Sequence, residues 1–213
     1  MNVLLTRPLE DSIDLIKRFK DKGLTVSHLP LIKINKLDYP KLNSSEYKII
    51  IFTSSNAIRN IDTKDFDKKS LCFCVGDATE KAAKQIGFYN TFSAGGNVKN
   101  LRELILQNLE KDLIKEGLNV QRLINYRVSH VEDISFDFLS ELKKKIPDIV
   151  YIYSQNSAVS FLNLIKKYEL DDYWMKTNLM CIGEKTSSVL NELKWKKIFL
   201  FNPGEEEFLL YKI

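Results

Sequence analysis

Residues 71–88 read LCFCVGDATEKAAKQIGF, and residues 178–195 read NLMCIGEKTSSVLNELKW. In each stretch a short apolar run precedes a Gly-acid-x-Thr turn. Residues 74–88 align with residues 181–195 without a gap. A second pair precedes them, with IIIFTSSNAI at residues 49–58 and VYIYSQNSAV at residues 150–159. A motif pair that occurs twice predicts two similar domains, and its matched polar turns indicate one ligand held between them.

The composition is that of a soluble globular protein with room for one large domain or two small ones. The 213 residues are 44% hydrophobic and 28% charged. The net charge of +4 comes from interleaved acidic and basic residues, which argues against nucleic acid and mildly favours a polyanionic small molecule. No segment approaches the roughly 18 apolar residues of a membrane span, and MNVLLTRP does not read as a signal peptide. We therefore expect a cytoplasmic protein.

The three cysteines are expected to be buried small hydrophobic residues. Cys72 and Cys74 alternate on one apolar run, and Cys181 lies in the matching run. An odd number of cysteines in predicted core strands argues against a disulfide framework. Only two histidines are present, His28 and His130, and neither is close to a cysteine in sequence, so we predict no metal site.

Apolar runs and amphipathic segments alternate along the whole chain, which predicts an α/β fold with parallel sheets covered by helices. Residues 2–6 read as a buried strand, and a helix with apolar residues at 3–4 spacing follows from Ser12. Two extended segments, Leu29–Ile34 and Leu123–Val128, each follow a helix that ends at a glycine. They suit a pair of crossings to an inserted domain, or else they are ordinary sheet strands, and the residues leave both interpretations open.

Four polar turns follow predicted strands and open predicted helices: Thr53-Ser54-Ser55-Asn56, Gly76-Asp77-Ala78-Thr79, Ser154-Gln155-Asn156-Ser157 and Gly183-Glu184-Lys185-Thr186. Ligands of open α/β sheets bind at the carboxyl ends of the strands. The free N–H groups at a helix start bind carboxylate or phosphate. The alternative is plain helix capping, which these residue types perform in any protein. Because the four turns occupy duplicated positions, an anion-binding site shared by them is as good an interpretation as helix capping.

Few other residues are candidates for ligand binding or catalysis. Arg7, at the end of the first strand, is a candidate carboxylate clamp. Gly76 and Gly183 permit tight turns or close approach of a ligand, although no dinucleotide or Walker A motif is present. Tyr126, in LINYRV, offers a phenol that donates a proton or hydrogen bond while neutral, unless it is simply a packed aromatic residue. No nucleophile–base–acid triad stands out.

Together these motifs resemble the uroporphyrinogen-III synthase family over nearly the whole chain. The similarity rests on LLTRP, FTSSNAI, VGDATEKAAKQIGF, SAGGNVKNLREL, GLNVQRLINYRV, YSQNSAV, IGEKTSSVL and the closing Pro-Gly-acid segment. Each motif alone is weak, but their order and spacing together are specific.

The resemblance implies two similar doubly wound parallel-sheet α/β domains joined by a two-stranded linker, with the active site in the cleft between them. Domain one would comprise residues 1–33 plus 128–213, and the inserted domain two residues 34–127. The implied enzyme is a hydro-lyase that cyclises hydroxymethylbilane, a linear tetrapyrrole, to uroporphyrinogen III with inversion of ring D and loss of water. It implies no cofactor, no metal, and no nucleic-acid or membrane partner. It also implies a monomer that binds a polycarboxylated substrate and transiently contacts the preceding enzyme of the pathway.

The resemblance also assigns roles to individual residues. Tyr126 matches the linker tyrosine proposed to assist departure of the substrate hydroxyl. Thr79 and Thr186 match the threonines of the two Gly-x-x-Thr turns, and Ser54 and Ser55 match the first hydroxyl cluster. The full predicted substrate-binding set is Arg7, Thr53, Ser54, Ser55, Gly76, Thr79, Ser154, Gln155, Gly183 and Thr186.

Two departures from the family pattern affect these expectations. Between Leu109 and Leu113 the pattern has a further strand and turn, whereas LILQNLEKDLIKEG runs straight on, so domain two lacks a strand or the sequence lacks residues. The second hydroxyl cluster places Gln155 where the first has Ser54, which keeps donors but alters their geometry.

Two other functions are compatible with a two-domain α/β chain. One is a non-catalytic two-lobed protein that closes on an anionic small molecule and would not need Tyr126. The other is a regulatory module of response-regulator type. That module needs an acidic cluster after the first strand, and Thr6-Arg7-Pro8 does not supply one.

Overall fold

A computed structural model of the chain describes residues 1–43, 46–62, 64, 66–96, 98–108, 120–202, 204–207 and 210–211. Ten strands lie in these residues: β1 Asn2–Leu5, β2 Thr25–His28, β3 Ile32–Lys36, β4 Ile49–Phe52, β5 Leu71–Cys74, β6 Thr91–Ser93, β7 Tyr126–His130, β8 Ile149–Ile152, β9 Asn178–Cys181 and β10 Lys197–Leu200. The described α-helices are α1 Leu9–Asp21, α2 Ser55–Arg59, α3 Asp77–Gln85, α4 Val98–Asn108, α5 Phe136–Lys144, α6 Gln155–Lys167 and α7 Glu184–Val189. The chain divides into a larger unit, Met1–Lys33 with Val128–Ile213, and a smaller unit, Ile34–Arg127.

The larger unit is built on a five-stranded sheet of order β10-β9-β8-β1-β2, in which every neighbouring pair is parallel. Both faces of this sheet are covered, and β1 shows why. Val3 and Leu5 pack with Leu15 and Phe19 of α1, while Leu4 points to the opposite face, among side chains of α5, α6 and α7. Because successive side chains of a strand alternate, an unbroken apolar run suits a sheet buried on both faces.

The smaller unit repeats this plan on a three-stranded parallel sheet of order β4-β5-β6. Cys72 and Cys74 pack on one face with Ala83 of α3, and Phe73 packs on the other with Leu101 of α4. The predicted doubly wound α/β fold is confirmed in both units. Strand β6 was not predicted from the sequence, and the strand expected to be absent near residues 110–113 lies outside the described residues.

A two-stranded sheet, separate from the other two, is formed by β3 and β7. The Leu37 amide donates to the Asn125 carbonyl at 2.9 Å, and the Val131 amide donates to the Leu31 carbonyl at 3.0 Å. These partners advance in opposite directions along the chain, so the two strands are antiparallel. Each strand begins in one unit and ends in the other. The linker interpretation of the two extended segments is therefore confirmed, with the second strand beginning at Tyr126.

The cysteines occupy the core as predicted: Cys72, Cys74 and Cys181 are free and fully buried. Burial raises the pKa of the Cys181 thiol to about 12, because the thiolate would lose its hydration. Among the helices that the structure describes, none is both long and apolar enough to cross a membrane.

Candidate functional site

The carboxyl edge of the five-stranded sheet carries half of the predicted substrate-binding residues. Because β1, β8 and β9 are parallel neighbours, the turns that follow them emerge side by side. The turn after β1 carries Arg7, the turn after β8 carries Ser154 and Gln155, and the turn after β9 runs from Gly183 to Thr186. The fold thus places these residues of the larger unit on one edge, where α/β proteins bind ligands.

The smaller unit has a matching edge. Strands β4 and β5 are parallel neighbours, followed by Thr53–Ser55 and by Gly76–Thr79, respectively. Strand β6 adds Ser93, whose hydroxyl donates to the Asp77 carboxylate at 2.6 Å. The predicted residues of this unit therefore also share one sheet edge.

Two serines cap helices at these edges. The Ser54 Oγ accepts the Asn56 amide of α2 at 3.1 Å, and the Ser154 Oγ accepts the Ser157 amide of α6 at 3.1 Å. The Ser54 hydroxyl still has a proton to donate, so its cap and a ligand contact are compatible. The Ser154 Oγ also lies 2.9 Å from the Ser157 Oγ, and either of these hydroxyls can be the donor. Ser154 holds the structural position of Ser54, since each is the second residue after its strand. The sequence alignment that placed Gln155 at that position was one residue out of register, and Gln155 corresponds to Ser55.

The four turns differ in charge. The first turns of α2 and α6 contain no acidic residue, whereas Asp77 and Glu184 lie in the first turns of α3 and α7. A carboxylate in the first turn already complements the positive end of a helix and repels a second anion. The serine turns are therefore better carboxylate sites than the Gly-acid-x-Thr turns.

The two threonines of the Gly-acid-x-Thr turns are largely inaccessible. Thr79 is 5% exposed and Thr186 is 4% exposed. Their amides donate to the Gly76 and Gly183 carbonyls at 3.0 and 3.2 Å, respectively. These threonines thus shape the turns more than they present a side chain to a ligand.

The two turn glycines are needed for different reasons. Gly183 has φ 73° and ψ 162°, a backbone conformation essentially restricted to glycine. Gly76 has an ordinary extended φ of −160°, but a Cβ there would lie 3.3 Å from the Cα of Gly96. The Gly96 amide also donates to the Val75 carbonyl at 2.7 Å, so the loop after β6 packs directly on the turn after β5.

Arg7 lies just beyond the end of β1 and is half-buried. Its guanidinium carbon is 4.7 Å from the centre of the Tyr153 ring. A ring nitrogen of His28 is 2.8 Å from the Arg7 carbonyl, which helps to fix the backbone. No carboxylate of the described residues forms an ion pair with Arg7, so its donors remain available to an anion.

Tyr126 is the first residue of β7 and is half-buried. Within the part of the chain that the structure describes, its hydroxyl has no hydrogen-bond partner. The preceding residue, Asn125, is 3% exposed and donates from Nδ2 to the Ala57 carbonyl of α2 at 2.6 Å. This bond anchors the start of β7 to α2 and so fixes the backbone that carries Tyr126.

Sequence reasoning missed Asn125 and Tyr153. The only available signal for Asn125 was a polar residue inside the apolar run LINYRV, and Tyr153 had no signal besides its place after a strand. The described residues contain no group of three or more His, Cys, Asp or Glu side chains arranged to hold a metal ion.

Comparison with known proteins identifies one family and similar solved structures. The family description "Uroporphyrinogen-III synthase HemD" matches residues 13–200. A crystal structure of a mutant uroporphyrinogen III synthase from the extremely thermophilic bacterium Thermus thermophilus is 15% identical, with 100% of this chain and 97% of that chain covered and a TM-score of 0.51. A second structure of Thermus thermophilus uroporphyrinogen III synthase is also 15% identical, with 93% and 92% covered and a TM-score of 0.43. No curated protein sequence matches the chain significantly. At this identity the first structure supports the fold alone.

Proposed function

Because this chain belongs to the uroporphyrinogen-III synthase family, we propose that it cyclises hydroxymethylbilane to uroporphyrinogen III, with inversion of ring D and loss of water. The observation that carries this function is the family match over residues 13–200. The alternative of a non-catalytic binding protein receives no support from the comparisons. The proposed enzyme is a hydro-lyase that needs no cofactor, acts as a cytoplasmic monomer, and has domains at residues 1–33 plus 128–213 and at residues 34–127.

The chemistry requires few catalytic side chains. Pyrroles are electron-rich, so departure of the terminal hydroxyl as water leaves a resonance-stabilised azafulvene cation. The main task is then to hold the chain so that the substituted carbon of ring D attacks this cation rather than the unsubstituted one, which is catalysis by orientation. A proton donor near the departing hydroxyl assists the first step. Tyr126, a half-buried phenol with no hydroxyl partner among the described residues, is our candidate for that donor.

The substrate carries eight carboxylates, which suits many modest donors better than one strong cation. We assign carboxylate binding first to Arg7 and to the serine turns, because their helices carry no acid in the first turn. Exposed Thr53 and Gln155 and the half-buried Ser55 add donors beside the capping serines. Gly76, Gly183 and the two threonines serve to keep the neighbouring turns in shape.

Product analysis tests the function directly. Purified protein is added to freshly generated hydroxymethylbilane, and the products are oxidised and separated. Type III isomer in excess over the spontaneous type I isomer supports the synthase. Type I isomer alone, at a protein concentration that exceeds that of the bilane, contradicts the proposed function.

Loss of either threonine hydroxyl is expected to have a small effect. Thr79→Val and Thr186→Val keep the shape of buried side chains, and the turn amides remain, so kcat/KM should fall by less than about tenfold, or 1.4 kcal/mol. Steady-state kinetics of the two variants and of Ser188→Ala, an exposed residue of α7, check this expectation. A loss of a hundredfold or more in either valine variant would require a direct substrate contact.

A further inference from the structure

Arg7 and Tyr153 form a cation–π pair at the carboxyl edge of the larger unit. Strands β1 and β8 are paired with Leu5 opposite Tyr151, and Arg7 and Tyr153 each lie two residues further along. The alternation of side chains along a strand therefore returns both to the same face. The guanidinium carbon lies 4.7 Å from the ring centre, within the range of a cation–π contact.

The ring of Tyr153 is held in place by two other aromatic residues. Tyr151 stacks beside it at 6.2 Å between ring centres, and Phe201 meets it edge-on at 5.5 Å. Phe201 also contacts Tyr151 at 5.6 Å, and the Tyr151 hydroxyl donates to the Glu206 carbonyl at 2.7 Å. A ring packed in this way presents a face of fixed position and direction to the arginine.

The hydroxyl of Tyr153 forms no hydrogen bond with a described residue that would account for a tyrosine at this position. Its oxygen is buried and has no hydrogen-bond partner among the described residues. Burial, together with the charge of Glu206, holds the pKa of Tyr153 well above its usual value, so the phenol stays neutral. Besides its packing on Tyr151 and Phe201, the Tyr153 ring contacts the Arg7 guanidinium.

The arginine is left ready for an anion. A guanidinium stacked on a ring keeps its in-plane N–H donors free for a carboxylate, which it binds in a bidentate manner. Glu206 is buried close enough for its charge to act on Tyr153, yet no described carboxylate pairs with Arg7. The Arg7 guanidinium therefore lies against the Tyr153 ring, and no described carboxylate occupies its donors.

We propose that Tyr153 is a positioning residue, whose ring face holds the Arg7 guanidinium in the orientation that binds one carboxylate of the substrate. The proposal rests on the proposed function for the identity of the substrate. Tyr153 would thus be a further residue of the substrate-binding site, and it would affect substrate affinity rather than the chemical step.

Kinetics of four variants test the proposal. Tyr153→Leu should raise KM by roughly 5- to 30-fold, the effect of losing a partly desolvated cation–π contact, while kcat changes less than about twofold. The conservative Tyr153→Phe keeps a ring face and should recover most of that affinity. Arg7→Gln should raise KM at least as much as Tyr153→Leu. The double variant Arg7→Gln/Tyr153→Leu should be no worse than Arg7→Gln alone, because the ring acts only through the arginine.

Phe19→Leu is the matched structural control. Phe19 lies 5.8 Å from the Tyr151 ring in the same cluster, but among the described residues it forms no cation–π contact with Arg7. It should lower Tm while KM is retained. A KM increase in Phe19→Leu equal to that in Tyr153→Leu, additive effects in the double variant, or failure of Tyr153→Phe to recover affinity would each overturn the positioning role.

A binding measurement separates this proposal from the proposed function. Uroporphyrin III, the stable oxidised form of the product, carries the same carboxylates, and its Kd is measurable by fluorescence without turnover. Tyr153→Leu and Arg7→Gln should weaken its binding by the same factors that raise KM. If the wild-type protein forms no type III isomer but shows these Kd changes, the enzyme assignment fails and the positioning role stands. Equal Kd values for all variants would overturn the positioning role.

Discussion

Tyr126→Phe is expected to lower kcat by roughly 10²-fold or more while the fold is retained. The substitution removes only the phenolic hydroxyl, and general acid assistance contributes typically about 10²- to 10⁴-fold. Folding should tolerate it, because the hydroxyl of Tyr126 has no partner among the described residues and the residue is only half-buried. Rapid-quench kinetics with freshly prepared hydroxymethylbilane, together with circular dichroism of the variant, provide the measurement.

Tyr168→Phe is the control, because it removes a tyrosine hydroxyl that we do not place in the site. The Tyr168 hydroxyl accepts the Ile134 amide at 3.1 Å, so its removal should cost stability but not turnover. If Tyr126→Phe turns over at the wild-type rate, the departing hydroxyl receives its proton from another source, and Tyr126 has no catalytic role. If kcat falls by the same factor in Tyr126→Phe and in Tyr168→Phe, the loss is not specific to Tyr126 and reflects folding.

The fold could be predicted from the sequence where burial on both faces leaves a clear pattern. Runs such as LCFC and NLMC become β5 and β9, because fully buried parallel strands need apolar side chains in nearly every position. Strand β6 left no such pattern, since Thr-Phe-Ser is short and two of its three residues are polar. It pairs with β5, which supplies its hydrogen bonds. Local propensity alone does not encode an edge strand of this kind.

The site was predicted as a set of turns but not in its detailed geometry. Parallel strands oblige the turns after β8 and β9 to share an edge, so the predicted polar clusters lie side by side there. That this edge binds a ligand stays a prediction. The helix caps depend on where each strand ends, and a one-residue shift in the alignment of the repeats misplaced Gln155. The contact of Arg7 with Tyr153 depends on β1 lying next to β8, and only the strand order brings residues so distant in sequence together.

Trp174→Ala is expected to lower the free energy of unfolding of the larger unit by about 3–5 kcal/mol, a large part of the usual stability of a domain. Trp174 is fully buried and packs on Phe161 at 5.0 Å and on Trp195 at 5.8 Å between ring centres. Removal of the indole leaves a cavity that the neighbouring rings cannot fill. Because the chain has two tryptophans, Trp195 remains in the variant and reports urea unfolding of this unit by its fluorescence.

Trp174→Phe separates packing from hydrogen bonding at the same position. The indole Nε1 of Trp174 is buried and has no partner among the described residues, whereas the Nε1 of Trp195 donates to the Leu190 carbonyl at 3.0 Å. A buried donor without a partner costs about 1–3 kcal/mol, and its removal offsets part of the lost ring area. Trp174→Phe should therefore cost less than about 2 kcal/mol. Tyr173 lies beside Trp174 on the 3₁₀ helix Asp171–Lys176 but is 39% exposed, so Tyr173→Ala should cost less than about 1 kcal/mol. Equal losses in Trp174→Ala and Tyr173→Ala would mean that the packing around Trp174 does not limit the stability of the larger unit.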